Sequence, residues 1–208
     1  DQLAAVIGPE RVLGGLCKIV SAIVAPGHVR HTGVPPRVEF GERDGRQSER
    51  VERLRQAFAR AQGLSVVVPD DVVAAIWEKF LFIAPVSGVG AVTRQPVGVM
   101  RAIPETRALI ERAMFEVAAL ARAKGVALPD EAVGRNLRFV DSLPADATAS
   151  MQRDIMEGRP SELEQQTGAV AARSAVFGFP PVYFNPAEVK PGIEYILFDE
   201  WQLPRSPV

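Results

Sequence analysis

Between Val72 and Val86, apolar side chains fall on nearly every side of a helix that Pro69-Asp70-Asp71 would start. A helix that is apolar all round must be surrounded, either by lipid or by the rest of a protein. The longest apolar stretch, Phe80 to Val92, is interrupted by Ser87 and by glycines and falls short of the roughly 20 residues a membrane span needs. The expectation is a central, fully packed helix around which the other elements wrap.

Those other elements are mostly helical. Val51, Leu54, Phe58 and Ala61 form one stripe of a helix that runs from about Arg46 to Gly63, and a strand-like run follows from Ser65 to Val68. Pro104 opens an amphipathic helix through Leu109, Ala113, Val117, Leu120 and Ala121, and Lys124-Gly125 ends it as helix C-termini prefer. Further helices are expected over 130–143, 150–157, 162–177 and 189–201, with Gly178-Phe179-Pro180-Pro181 as a connector. Up to about Gly41 the chain reads differently, as one brief helix and then strands over 18–24, 28–31 and 37–40 separated by Pro26-Gly27 and Gly33 to Pro36. In Arg37-Val38-Glu39-Phe40 the apolar residues fall on one face and the charged ones on the other. Three short strands cannot bury a core alone. The division is placed near residue 44, with 1–44 strand-rich and 45–208 helical.

Charge and cysteine content narrow the function. The 208 residues carry 24 Lys+Arg against 25 Asp+Glu, without long like-charged runs, so neither a nucleic acid nor a polybasic membrane contact is expected. The one cysteine, Cys17, permits no intrachain disulfide and suits a reducing cytoplasm. His28 and His31, three apart on a strand, point to opposite faces, so no metal site is expected. The opening residues Asp1 to Ala5 show neither a basic n-region nor an apolar h-region and read as sequence from inside a domain.

Lys79 is the most informative residue. Val72, Ala75, Ile76, Phe82, Ile83 and Val86, at helical spacings from it, are all apolar. An ammonium there either snorkels out, finds a carboxylate or is held for catalysis, because unpaired burial costs several kcal/mol. Ser161 to Glu164 reads as a capping box that puts Glu162 at the first helical position. Ser150 could cap the helix that runs to Glu157, with Asp154 one turn on along the same face. Glu116, in the alanine- and leucine-rich helix, either faces solvent or approaches Lys79 as a partner.

Asp71-Val72-Val73-Ala74-Ala75-Ile76-Trp77-Glu78-Lys79 resembles the D-I-x-x-x-x-W-x-K segment of ketopantoate reductases (2-dehydropantoate 2-reductases). In order, Val12-Leu13-Gly14-Gly15, Pro26 to Gly33 and Phe40-Gly41-Glu42 are similar to the closing strands of that family's dinucleotide-binding domain. Ser150-Met151-Gln152-Arg153-Asp154-Ile155 and Arg159-Pro160-Ser161-Glu162-Leu163 resemble its S-M-x-x-D-I and R-x-T-E-I motifs. The resemblance implies the last strands of a Rossmann-type domain followed by a helical domain of the 6-phosphogluconate dehydrogenase type. It implies a cytoplasmic homodimer that uses NADPH to reduce the 2-keto acid ketopantoate to pantoate, for pantothenate and coenzyme A synthesis. It implies Lys79 as general acid, buried and aimed into a cleft near Ser150 and Glu162. Ser150 would bind the substrate carboxylate and Glu162 would position lysine or substrate; beside that carry-over, Glu116 and Asp154 are read from their places on the helices as either supporting or solvated carboxylates.

Two departures bear on that reading. Where the family commonly has asparagines four and eight residues after the lysine, this chain has Ile83 and Ser87, and only Ser87 can hydrogen-bond substrate, with a shorter reach. A reductase of another 2-keto acid and a non-catalytic helical dimerisation module are the other two readings. No Gly-x-Gly-x-x-Gly loop occurs to hold a pyrophosphate; Gly88-Val89-Gly90 is the nearest run, in the wrong context. The expectation is that the chain starts inside the nucleotide-binding domain.

Overall fold

The computed structural model describes residues 2–33 and 35–177; the expected helix over 189–201 and the connector at 178–181 lie outside them. The chain is mainly α, as expected, and divides into two compact units, Asp1–Glu78 and Lys79–Val208. The division expected near residue 44 falls inside the first.

In the first unit, α1 (Gln2–Ile7) and a 3-10 turn (Pro9–Arg11) lead into β1 (Gly14–Lys18), β2 (Ser21–Ala25), β3 (His28–His31) and β4 (Arg37–Gly41). Next come α2 (Glu49–Phe58) and β5 (Ser65–Val67). The sheet order is β1-β4-β5, with β1 antiparallel and β5 parallel to β4. A parallel neighbour needs a crossover, and α2 supplies it, setting Phe58 against Phe40 with ring centroids 5.7 Å apart. The run expected as one strand over 18–24 is two: Lys18 ends β1, and β2 pairs only with β3 in a separate ribbon turned at Gly27, φ 74°.

The alternation expected in β4 breaks at Glu39, which is 4% exposed rather than solvated. As the central strand β4 is flanked on both sides, and the carboxylate is held by Lys18 Nζ at 2.7 Å and Arg37 Nε at 2.9 Å. Gly14 lies opposite Gly41, and the hollow this pair leaves is filled by Val72.

The helix that begins at Val72, α3 (Val72–Thr93), starts where Asp71 Oδ1 accepts from the Ala74 N–H at 2.9 Å, an N-cap bond. It is longer than its apolar run suggested. Among the described residues it is the one helix long and apolar enough to cross a membrane. Its stretch from Ala84 to Ala91 is buried within the protein, whereas Val73 to Phe80 are half-buried, so the helix is packed toward its C-terminal part and not throughout as expected.

The rest of the second unit is helical: α4 (Val97–Ala102), α5 (Pro104–Ala123), α6 (Ala132–Ser142), α7 (Ser150–Met156), a π-helical turn (Glu164–Gly168) and α8 (Ala169–Val176). The short α4, behind Pro96, was not expected from the sequence. α5 begins at Pro104 and stops at Lys124 and Gly125, φ 75°, as its sequence signals require, and it packs against α4, α6 and α8. Met100, Ile110, Met114, Val117, Val140 and Val170 are closed off from solvent at the centre. Arg101 Nη1 donates to the carbonyls of Val140, Asp141 and Leu143 and so terminates α6.

Candidate functional site

Lys79 lies near the start of α3 and is half-buried, not largely buried as expected. Its neighbours Ala75, Ile76, Phe82 and Ile83 are themselves only half-buried, so this part of the helix keeps access to water. Lys79, Ile83, Ser87 and Gly90 follow one another at helical spacing and share one stripe of α3. Ser87, about 12 Å along the axis from Lys79, is 0% exposed, and its Oγ has no hydrogen-bond partner among the described residues. Leaving a buried hydroxyl in that state costs about 1–3 kcal/mol.

Gly90 explains the Gly88-Val89-Gly90 run. It sits inside a helix, not at a strand-to-helix turn, and a Cβ there would stand 2.5 Å from Gln152 Oε1 of α7. The glycine makes room for a side chain, not for a phosphate. Gly88-Val89-Gly90 therefore does not fit a dinucleotide pyrophosphate, and no residue is assigned to hold one.

Ser150 is the first residue of α7 and is exposed. The cap reading for it fails: Ala149 is the N-cap, and its N–H donates to Gln152 Oε1 at 3.3 Å. Gln152 is 0% exposed, and its Nε2 donates to the Gln95 carbonyl at 2.9 Å, just beyond α3. Gln152 thus fastens α7 to the C-terminal end of α3, at Gly90 and Gln95, while Ser150, two residues earlier, stays exposed.

The three carboxylates are placed differently. Asp154 Oδ1 accepts from Arg159 Nε at 2.9 Å and Nη2 at 2.7 Å, and the Arg159 N–H returns to the Asp154 carbonyl, so Asp154 closes the turn after α7. Glu162 is exposed and lies before the helix, not at its first position; its carbonyl accepts from Gln166. The expected capping box is replaced by a π-turn in which the Gly168 N–H reaches the Leu163 carbonyl at 2.9 Å. Glu116 is 6% exposed, on the buried face of α5, which excludes the reading that put it in solvent.

Gln152 falls on an unspecified position of the S-M-x-x-D-I motif, so the motif does not single it out. Its partner Gln95 lies 57 residues away, and no local pattern links them. The available signal was Gly90, because a glycine in a helix interior is unfavourable unless something approaches closely. Among the described residues no group of His, Cys, Asp and Glu could hold a metal ion.

Residues 71–183, more than half of the chain, match the family described as the C-terminal region of the PanE/ApbA ketopantoate reductases, and the chain belongs to that family. Over 162 residues it is 32% identical to an uncharacterized oxidoreductase of Bacillus subtilis, YkpB, covering 78% of this chain and 53% of that one. It is 33% identical over 164 residues to the 2-dehydropantoate 2-reductase of Mesorhizobium japonicum, covering 79% and 49%. The chain spans about half the length of these curated relatives. The crystal structure of 2-dehydropantoate 2-reductase from Geobacter metallireducens superposes with a TM-score of 0.77 at 32% identity, over 93% of this chain and 61% of that one. A D-mandelate dehydrogenase in complex with NADH shares the fold, with a TM-score of 0.76 at 15% identity over 94% and 63%.

Proposed function

We propose that the chain is the substrate-binding part of a cytoplasmic, homodimeric reductase that converts 2-dehydropantoate to pantoate, a step toward pantothenate and coenzyme A. The observation that carries this reading is the α3 stripe: Lys79, then Ser87 with an unsatisfied buried hydroxyl, then Gly90 with Gln152 of the Ser150 helix seated on it. The named function of the Mesorhizobium and Geobacter relatives supplies the substrate class.

In this reading NADPH supplies the hydride; its binding is assigned to none of the residues described here. Lys79 holds its ammonium beside the ketone oxygen, offsets the negative charge that develops there and delivers a proton to it. The Ser150 hydroxyl donates to the substrate carboxylate, and the Ser87 hydroxyl gains the partner it lacks. Glu162 positions substrate or lysine from the exposed segment before the π-turn. Exposed Phe115 and Phe139, on α5 and α6, are apolar surface of the kind a homodimer covers.

A second reading, reduction of a different 2-keto acid, is favoured by Ile83, which puts an apolar side chain on the stripe between Lys79 and Ser87. A panel of 2-keto acids assayed on the whole reductase with NADPH and with NADH separates the two. The first reading expects 2-dehydropantoate with NADPH to give the highest kcat/KM. A bulkier, less polar 2-keto acid that exceeded it tenfold would establish the second, and turnover of none of them would remove both.

A further inference from the structure

The chain leaves α3 through Arg94, whose φ of 53° makes it the one non-glycine residue in the left-handed region among those described. Such a conformation is held only where the surroundings enforce it. Here the next residues are fastened to the segment that precedes α7. Gln95 offers its carbonyl to Gln152 Nε2, the Val97 N–H donates to the Ala147 carbonyl and the Gly98 N–H to the Ala145 carbonyl, each at 2.9 Å. Gly98 permits this close approach, since a Cβ on it would stand 2.7 Å from Ala145.

Gln152 is the side chain that locks this arrangement. Both ends of its amide are used, by Ala149 N–H on one side and the Gln95 carbonyl on the other, and the amide lies over Gly90. Closed off from solvent, it cannot swing away without losing both hydrogen bonds inside the protein. Its position fixes Ala149, and Ala149 fixes where Ser150 enters α7. Met151, between Ser150 and Gln152 in sequence, is also fully buried, so this turn has no slack.

We propose that Gln152 is a positioning residue that, through Ala149, fixes where Ser150 enters α7 and thereby sets the affinity for the carboxylate of the 2-keto acid. This rests on the reading of Ser150 as the carboxylate-binding hydroxyl. Gly90 and Gln95 are the other parts of the same clamp, one giving the space and the other the acceptor.

The test is a double-mutant cycle in the purified reductase. Gln152→Met, close in size but without donor or acceptor, should raise KM for the 2-keto acid at least tenfold and change kcat less than threefold. In a Ser150→Ala background the same substitution should change KM less than twofold, because the residue it acts through is gone. An equal rise in both backgrounds, or no rise in either, would overturn the proposal as a structural effect unconnected with Ser150. Gly90→Ala, which pushes on the amide from the other side, should reproduce the KM pattern, and serves if Gln152→Met does not fold. If the unaltered protein turns over no 2-keto acid, the functional reading fails, and hydrogen exchange judges the clamp by itself. Gln152→Met should then speed exchange of the Ala149 amide at least tenfold, and unchanged exchange would sink the clamp.

Discussion

A buried carboxylate must collect donors to replace the water it gives up, and Glu42 does so. It accepts from Ser48 Oγ at 2.6 Å, Arg50 Nε at 2.7 Å and Arg50 Nη2 at 2.5 Å, while the third guanidinium nitrogen, Nη1, donates to the Glu10 carbonyl. Ser48 also caps α2. The hydrogen bonds from Arg50 and then Ser48 hold the carboxyl at about 2, below its ordinary 4.5. A depressed folded-state value means stability present above the unfolded value and lost as pH falls through the folded one. Stability should therefore decline between about pH 4.5 and pH 2. Denaturant unfolding across that window should show a flatter decline in Glu42→Gln; identical slopes would remove Glu42 as the source. Glu52 shifts the same way through Arg55, but that pair is about half exposed and worth little. Ser87 invites the opposite comparison. Removing an unsatisfied hydroxyl should not weaken the core, so Ser87→Ala should leave Tm unchanged or higher while KM for the 2-keto acid rises severalfold. A fall in Tm with unchanged KM would make Ser87 a core residue only.

β1 and α3 meet through an absence of side chain. A Cβ on Gly14 would stand 2.7 Å from Val72 Cγ1, and Val72, 1% exposed, has nowhere to move. Gly14→Ala should cost about 1–3 kcal/mol as an overpacked contact. Adding Val72→Ala should recover part of that loss, and a double variant less stable than the sum of the singles would contradict the contact. The helices were legible because their signals are local: Asp71 before α3, Pro104 and Gly125 around α5, and the apolar period of each face. What was not legible depended on distant partners. Glu39 is buried because β4 acquires neighbours on both edges, and Glu116 is buried because other helices cover α5. Glu162 falls outside its helix because the backbone takes a π-turn there instead of the capping box that Ser161 and Glu164 suggested. Of the candidate site, Lys79 and Ser150 are legible from motifs and Ser87 from its spacing after Lys79, at a position that departs from the family pattern, whereas the amide that joins α3 and α7 is not legible.

The chain joins a small sheet-containing unit and a helical unit, each with its own buried residues, in a family whose curated members are about twice as long. A D-mandelate dehydrogenase shares the fold, so the fold by itself does not fix a substrate. Charge on the reacting oxygen is where such a site must act, and Lys79 is the group proposed for it. The decisive measurement is the steady-state kinetics of NADPH-dependent 2-dehydropantoate reduction by the whole reductase, unaltered and as Lys79→Ala, with folding of both checked by circular dichroism. Loss of the proton donor should lower kcat by roughly 10²-fold or more and change KM far less. A correctly folded Lys79→Ala protein with near-normal kcat would contradict the account.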